Sequence, residues 1–244
     1  MKKVKAIELI KVSKKYSIRH EKPTFLEQLF SKKRLEEFWA LKKISLVINK
    51  GERVGIIGLN GSGKTTLLRL MAGVIESTEG QVITNGRLVS LIELGAGFHP
   101  DMTGEENIFL NALILGMSRK KVKQKFKKIV NWADVGNFID APVYTYSDGM
   151  KLRLGFSVLI HTNPEIILLD EGLALGDEDF KKKFTQNFNE WIKSKKTIVM
   201  ASHNLSQLSS MCERVIWLEK GRVKMAGQPK KVISKYAEKI LRSR

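Results

Sequence analysis

Gly58-Leu59-Asn60-Gly61-Ser62-Gly63-Lys64-Thr65 fits the pattern G-x-x-x-x-G-K-[ST] at every position. A loop of this kind holds phosphate. Its glycines let successive backbone N–H groups curl around an anion, and the helix that leaves it points its positive end the same way. Lys64 has the length to reach the outer phosphates, and the Thr65 hydroxyl can ligate Mg²⁺. Gly58, Asn60, Gly61, Ser62, Gly63, Lys64, Thr65 and Thr66 therefore form the candidate nucleotide-binding set. A ligand-free glycine turn would account for the glycines, but it has no use for Lys-Thr at this spacing.

Three further places could do chemistry beside a bound phosphate. Ile166-Ile167-Leu168-Leu169 ends in Asp170, and Glu171 follows. An aspartate at such a strand end holds Mg²⁺, usually through water, and a second carboxylate beside it can orient or deprotonate an attacking water. The plainer reading is a helix cap, which four preceding aliphatics and a phosphate loop outweigh. His203 ends the next strand in Ala201-Ser202-His203. Consecutive strands of such a sheet deliver their C-terminal ends to one crevice, so His203 can donate a hydrogen bond to a γ-phosphate. Ser147, in Tyr146-Ser147-Asp148-Gly149-Met150, precedes a long helical stretch as an N-cap. A helix start with a serine and a glycine is a second anion site, although alone this is only a capped helix.

The elements that must position these groups are legible in outline. Arg53-Val54-Gly55-Ile56-Ile57 reads as a buried strand entering the loop and Thr66–Ala72 as the helix leaving it. Residues 5–12 read as an edge strand, followed by Val12–Tyr16. Residues 17–39 do not continue the sheet: Pro23 can open a helix, Phe25, Leu26, Leu29 and Phe30 share one face, and Leu35, Phe38 and Trp39 follow a polar Ser31–Arg34. This amphipathic insert either packs on its own domain or meets a partner or membrane interface. Strands follow at 44–48, 80–83 and 87–92, the last two around an Asn85-Gly86 turn. Gly95–Pro100 marks a joint. Helices near 104–115, 118–132 and 147–161 come next, then the apolar strand 166–170 of a sheet centre. A helix over 178–193, a strand 197–201, a short helix from Asn204, strands near 214–219 and 222–226 and a helix from about 229 complete the chain.

Composition narrows the classes. The 244 residues suffice for one large α/β domain. No apolar run approaches the ~20 residues of a membrane span, and Met1-Lys2-Lys3-Val4-Lys5 does not lead into a secretion signal. One cysteine, Cys212, excludes an internal disulfide and a cysteine-based zinc site. These features describe a soluble, intracellular chain. The formal charge of +18 admits solvated lysine faces, an anionic membrane surface or nucleic acid. The clusters Arg119–Lys128 and Lys181–Lys183 are not interleaved with aromatics as a base-stacking platform would be.

The order of motifs is phosphate loop, helical insertion ending in a Ser-x-Gly helix start, apolar strand with Asp-Glu, then a histidine. Over nearly its whole length the chain thereby resembles the ATP-binding cassette (ABC) ATPases. The resemblance implies an α/β P-loop NTPase fold: an ABC ATPase core with a mixed sheet, an antiparallel β-subdomain and a helical subdomain insertion. A single domain over 1–244 would divide into a catalytic core (1–95 and 162–244, with an N-terminal helical insert at about 20–38) and a helical subdomain (96–161). It further implies a Mg²⁺-dependent ATPase that closes as a head-to-tail homodimer around two ATP molecules. Ser147 and Gly149 then act on the γ-phosphate held by the partner's loop, and Asp177 of Leu175-Gly176-Asp177 lies in the loop crossing the interface. Lys64, Glu171 and His203 are the catalytic set, and Thr65, Asp170 and Glu93 the metal set. Glu93 stands where the family has a glutamine, with Leu94 as the other register. Tyr16 stacks on adenine, with Trp39 as its rival.

The wording of the motifs is similar to the polysaccharide-export branch: Tyr146-Ser147-x-Gly149-Met150, Leu94–Pro100 and Leu173–Asp177. Its members move O-antigen, capsule or teichoic-acid chains across the bacterial cytoplasmic membrane with an integral-membrane permease. This places the protein peripherally on the cytoplasmic face, with no nucleic-acid partner expected. Some relatives carry a C-terminal carbohydrate-binding domain, which this protein either lacks or carries beyond Arg244. The alternatives are a soluble ABC ATPase acting on nucleic acid or the ribosome, and a cassette for a small-molecule substrate.

Overall fold

The computed structural model describes residues 4–18, 36–92, 97–170 and 177–242. In chain order its elements are β1 (Lys5–Ile18), β2 (Glu36–Asn49), β3 (Arg53–Ile57), α1 (Lys64–Met71), β4 (Glu79–Thr84) and β5 (Leu88–Ser90). Then come α2 (Gly104–Ile114), α3 (Arg119–Ala133), two single 3₁₀ turns, α4 (Asp148–His161), β6 (Ile166–Leu169) and α5 (Glu178–Lys193). The chain finishes with β7 (Thr197–Ala201), α6 (Leu205–Met211), β8 (Arg214–Glu219), β9 (Arg222–Gly227) and α7 (Pro229–Arg242).

Strands β5-β6-β7-β3-β8-β9 lie side by side in that order, parallel from β5 to β8 with β9 antiparallel at the edge. Every residue of β6 and β7 is buried. Their unbroken aliphatic runs follow from cover on both faces. Ile166 and Leu168 join the core beneath α1, while Ile167 and Leu169 join Phe156, Phe180 and Trp191 on the other face. A second, antiparallel sheet, β2-β1-β4, closes the first core with Ile7, Leu9, Ile44 and Ile48. A third cluster, built from Ile108, Val122, Ile129, Tyr146, Leu154 and Val158, joins α2, α3 and α4.

Three expectations change here. Strand β1 is not an edge strand but the centre of the three-stranded sheet, paired with β2 on one side and β4 on the other. The strands flanking Asn85-Gly86 do not form a hairpin: β4 pairs with β1, whereas β5 pairs in parallel with β6 in the other sheet. Glu36, Glu37 and Phe38, expected at the end of the helical insert, are strand residues opposite Ile18, Ser17 and Tyr16. Cross-strand pairing with β1 overrides the helical spacing read there. The helix expected from Pro23 lies outside the described residues.

Candidate functional site

The glycine loop fills the six residues between the end of β3 at Ile57 and the start of α1 at Lys64. Its shape is imposed by close neighbours. Gly63 takes φ +104°, and a Cβ there would lie 2.7 Å from Leu41 Cδ2 and 2.8 Å from the Ala40 carbonyl oxygen. Gly58 passes so near the Leu218 carbonyl that a Cβ would stand 2.4 Å from its oxygen. The β8–β9 turn clamps the loop from behind: Gly221 N donates to the Ser62 carbonyl at 3.1 Å, and Lys42 N donates to the Gly221 carbonyl at 2.8 Å. Lys64, only 7% exposed, donates from Nζ to the Gly58 and Leu59 carbonyls at 2.9 and 3.4 Å. Among the described residues Ser62 Oγ is buried with no hydrogen-bond partner, a cost of the kind that a bound anion removes.

At the mouth of this loop two separate elements meet. Thr65 Oγ1, in the first turn of α1, donates to Asp170 Oδ2, just beyond β6, at 2.8 Å. A hydroxyl and a carboxylate are hard oxygen donors, and together with phosphate oxygens and water they suit Mg²⁺. His203 follows β7 in a turn in which Ser202 Oγ accepts from Asn204 N at 3.0 Å, and Asn204 in turn caps α6. His203 and Asp170 line one cleft of ≈ 490 Å³ with Phe180, Phe184 and Met200. The adjacent parallel pairing of β6 with β7 produces this convergence. Glu171 and Glu93 lie outside the described residues.

The other end of the loop is aromatic. Tyr16 and Phe38 are directly opposed across β1 and β2, with rings stacked at 5.6 Å between centroids and 26° between planes. With Asn60, Gly61, Gly63, Lys64, Thr65 and Thr66 they line a cleft of ≈ 370 Å³. Trp39, the rival for this place, is the next residue along the strand and so turns to the opposite face. There it pairs with Lys15, whose Nζ sits 5.6 Å from the Trp39 ring centre. Phe38 was missed as a partner of Tyr16. Phe38, Trp39, Ala40 and Leu41 run apolar without alternation, so nothing in the sequence marks which of the two rings faces Tyr16.

Ser147 caps α4 by accepting from Met150 N at 3.2 Å. Ser147 and Asp148 are exposed and Gly149 half-buried on the first turn. Asp177 caps α5 by accepting from Phe180 N at 2.8 Å. That amide, and after it the positive charge of Arg153, holds the Asp177 carboxyl below the usual carboxylate range. Arg153 Nη1 reaches Asp177 Oδ2 at 2.8 Å, and its Nε donates to the Ala133 carbonyl at 3.2 Å. Arg153 thus ties α3, α4 and the start of α5, a link without sequence signal because Arg153 and Asp177 are distant in the chain. Ser147, Gly149 and Asp177 line neither cleft beside their own glycine loop.

A family model described as "ABC transporter" matches residues 41–174. The chain is 41% identical over 239 residues to the O-antigen export system ATP-binding protein RfbB of Klebsiella pneumoniae, covering 95% of this chain and 97% of that one. It is 42% identical over 229 residues to the teichoic acids export ATP-binding protein TagH of Listeria innocua serovar 6a, covering 93% of this chain and 68% of that one. Among solved structures, a dimeric ATP-binding cassette in a post-hydrolysis state with ADP and Pi has the same fold, at TM-score 0.70 and 23% identity over 91% of this chain and 98% of that one. The ATP-binding subunit of an ABC transporter matches at TM-score 0.72 and 20% identity over 95% and 93%.

Proposed function

The chain belongs to the ABC transporter family of ATP-binding proteins, and from that premise we propose that it is the ATP-hydrolysing subunit of an exporter for a lipid-linked polysaccharide of O-antigen, teichoic-acid or capsule type. The observation that carries the hydrolytic part is the 2.8 Å contact between Thr65 and Asp170 at the mouth of the glycine loop. The substrate class follows the relatives of 41–42% identity.

Each group has a part. Tyr16, buttressed by Phe38, carries the adenine; the amides of residues 58–66 and Lys64 hold the β- and γ-phosphates. Thr65 and Asp170 would hold Mg²⁺, with Glu93 or water completing its shell, and the ion would supply charge neutralisation to the transferring phosphoryl group. Glu171 orients the water and takes its proton, and His203 donates to the γ-phosphate. Ser147 and Gly149, which line neither of the clefts described above, complete the partner's site in a head-to-tail dimer, with Asp177 in the crossing loop. Residues 96–161 act as a helical subdomain against a catalytic core of 1–95 and 162–244. An integral-membrane permease receives the motion, which places the chain peripherally on the cytoplasmic face of the membrane.

Glu171→Gln tests the reading. General-base loss costs about 10²–10⁴-fold in rate, so turnover should fall by that factor while an ATP-loaded dimer accumulates in gel filtration. Undiminished turnover, or a variant that stays monomeric with ATP, would sink it.

A further inference from the structure

Helix α3 carries seven cations, Arg119, Lys120, Lys121, Lys123, Lys125, Lys127 and Lys128, and no acid. Three stand in its first turn, where the helix dipole opposes positive charge. No glutamate four residues away compensates them. Val122, Ile129 and Ala133 are buried against α2 and α4. Lys120, Lys121, Lys127 and Lys128 therefore project from the opposite, exposed face. Among the described residues none of these four ammonium groups makes an ion pair or a hydrogen bond. Arg119 and Lys123 differ, since they share a groove with Glu105 and Glu106. The local potential is positive enough to be felt by a neighbour. Burial, and after it the charges of Lys121, Lys128 and Arg87, pushes the Lys125 ammonium below the usual lysine value.

Two exposed aliphatics precede this cationic helix in the chain. Leu113 and Ile114, at the end of α2, are 46% and 68% exposed. Only the four residues 115–118 separate Ile114 from Arg119, which keeps Ile114 within ~18 Å of the lysine-rich start of α3. Unpaired lysines next to exposed aliphatics are the chemistry of a lipid interface: the charges meet anionic headgroups and the aliphatics enter the acyl boundary. A single-stranded nucleic acid would be served by aromatics among the lysines, and the exposed face of α3 has none; a duplex needs only the charges and has no use for the exposed aliphatics.

We propose that the exposed face of α3, with Leu113 and Ile114, docks on a bilayer surface of anionic lipid. The contact stands independently of the transported substrate and of the permease. The test is flotation of the full chain with vesicles of phosphatidylglycerol and phosphatidylcholine, against vesicles of phosphatidylcholine alone. Wild type should float with the anionic vesicles only, and high salt should release it. The quadruple variant Lys120→Gln, Lys121→Gln, Lys127→Gln, Lys128→Gln should bind several hundredfold more weakly, at about fivefold per lysine. ATP affinity should be unchanged, which shows that the variant is folded. Ile114→Ser should weaken flotation with all lysines in place. The control triple Lys230→Gln, Lys231→Gln, Lys235→Gln in α7 should float like wild type. The proposal is overturned if the α3 quadruple variant floats as well as wild type, or if the α7 variant alone loses binding. Lysine-dependent binding of a short DNA or RNA duplex without vesicle binding overturns it in favour of nucleic acid.

Discussion

Replacing the aromatic residues at the end of the glycine loop separates the strand register of β2 from any helical reading of residues 36–39. The Tyr16 ring is stacked on Phe38 at 5.6 Å and opens on the same cleft as Asn60 and Thr66. Trp39 faces the other way, beneath Lys15. Loss of a base–aromatic stack costs about 1–3 kcal/mol, so Tyr16→Ala should raise the Kd for ATP roughly 5- to 150-fold. Phe38 acts through the ring it supports, and an aromatic pair contributes about 0.5–1.5 kcal/mol beyond its buried area. Phe38→Ala should then raise Kd only about 2- to 13-fold, and should add little in a Tyr16→Ala background. Trp39→Ala should leave Kd unchanged, although Trp39 is nearly as accessible as Phe38, 37% against 44%. Calorimetric titration with ATP and, in parallel, with inorganic tripolyphosphate is the assay. The phosphate chain alone should bind all three variants equally, because it has no base to stack. A Trp39→Ala effect as large as that of Tyr16→Ala, or an equal loss of tripolyphosphate binding, would refute the register and the stacking assignment together.

Gly63→Ala should abolish ATP binding and lower stability: the positive φ alone costs an alanine about 1–2 kcal/mol, before its Cβ meets Leu41 Cδ2 at 2.7 Å; thermal melting and titration read both. Ser147→Ala removes the acceptor for Met150 N and should cost about 1 kcal/mol of stability, leaving ATP binding by the monomer intact and preventing ATP-driven dimerisation in light scattering. Asp148 is fully exposed in the first turn of α4, with Lys151 3.9 Å away as a weak screen. Asp148→Ser should increase dimerisation of the Glu171→Gln protein by removing a negative charge from beside the partner's γ-phosphate, and unchanged dimerisation would contradict this. Burial pushes the Cys212 thiol from about 9 up to about 12, so at pH 8 roughly 10⁻⁴ of it is thiolate and alkylation should require unfolding. Because the folded value is the higher, its contribution to stability is intact below pH 9 and is lost as pH rises from there towards 12.

The glycine loop, the strand into it and the helix out of it were legible in the sequence because each follows from neighbours a few residues away: glycines at positive φ, an aliphatic run, a helix start. The cap at Ser147 is local in the same sense, its side chain accepting from an amide three residues on; those at Asp177 and Asn204 are equally local, although neither was read as a cap. What the sequence by itself could not decide is which strand lies beside which. Period-two patterning is the same for an edge and a central strand, so β1 was misplaced at an edge. Asn85-Gly86 supplies a tight turn whether the next strand returns to its neighbour or, as here, crosses to a second sheet. The meeting of Thr65 with Asp170 spans 105 positions, the clamp of Gly221 on Ser62 spans 159, and the Arg153–Asp177 tie crosses from one helix to the next. Hydrogen bonds of that range depend on which faces the hydrophobic cores bring together, and only the tertiary structure fixes that. Residue types and short spacings named the chemistry; the packing of two sheets around α1 set the distances at which it could act.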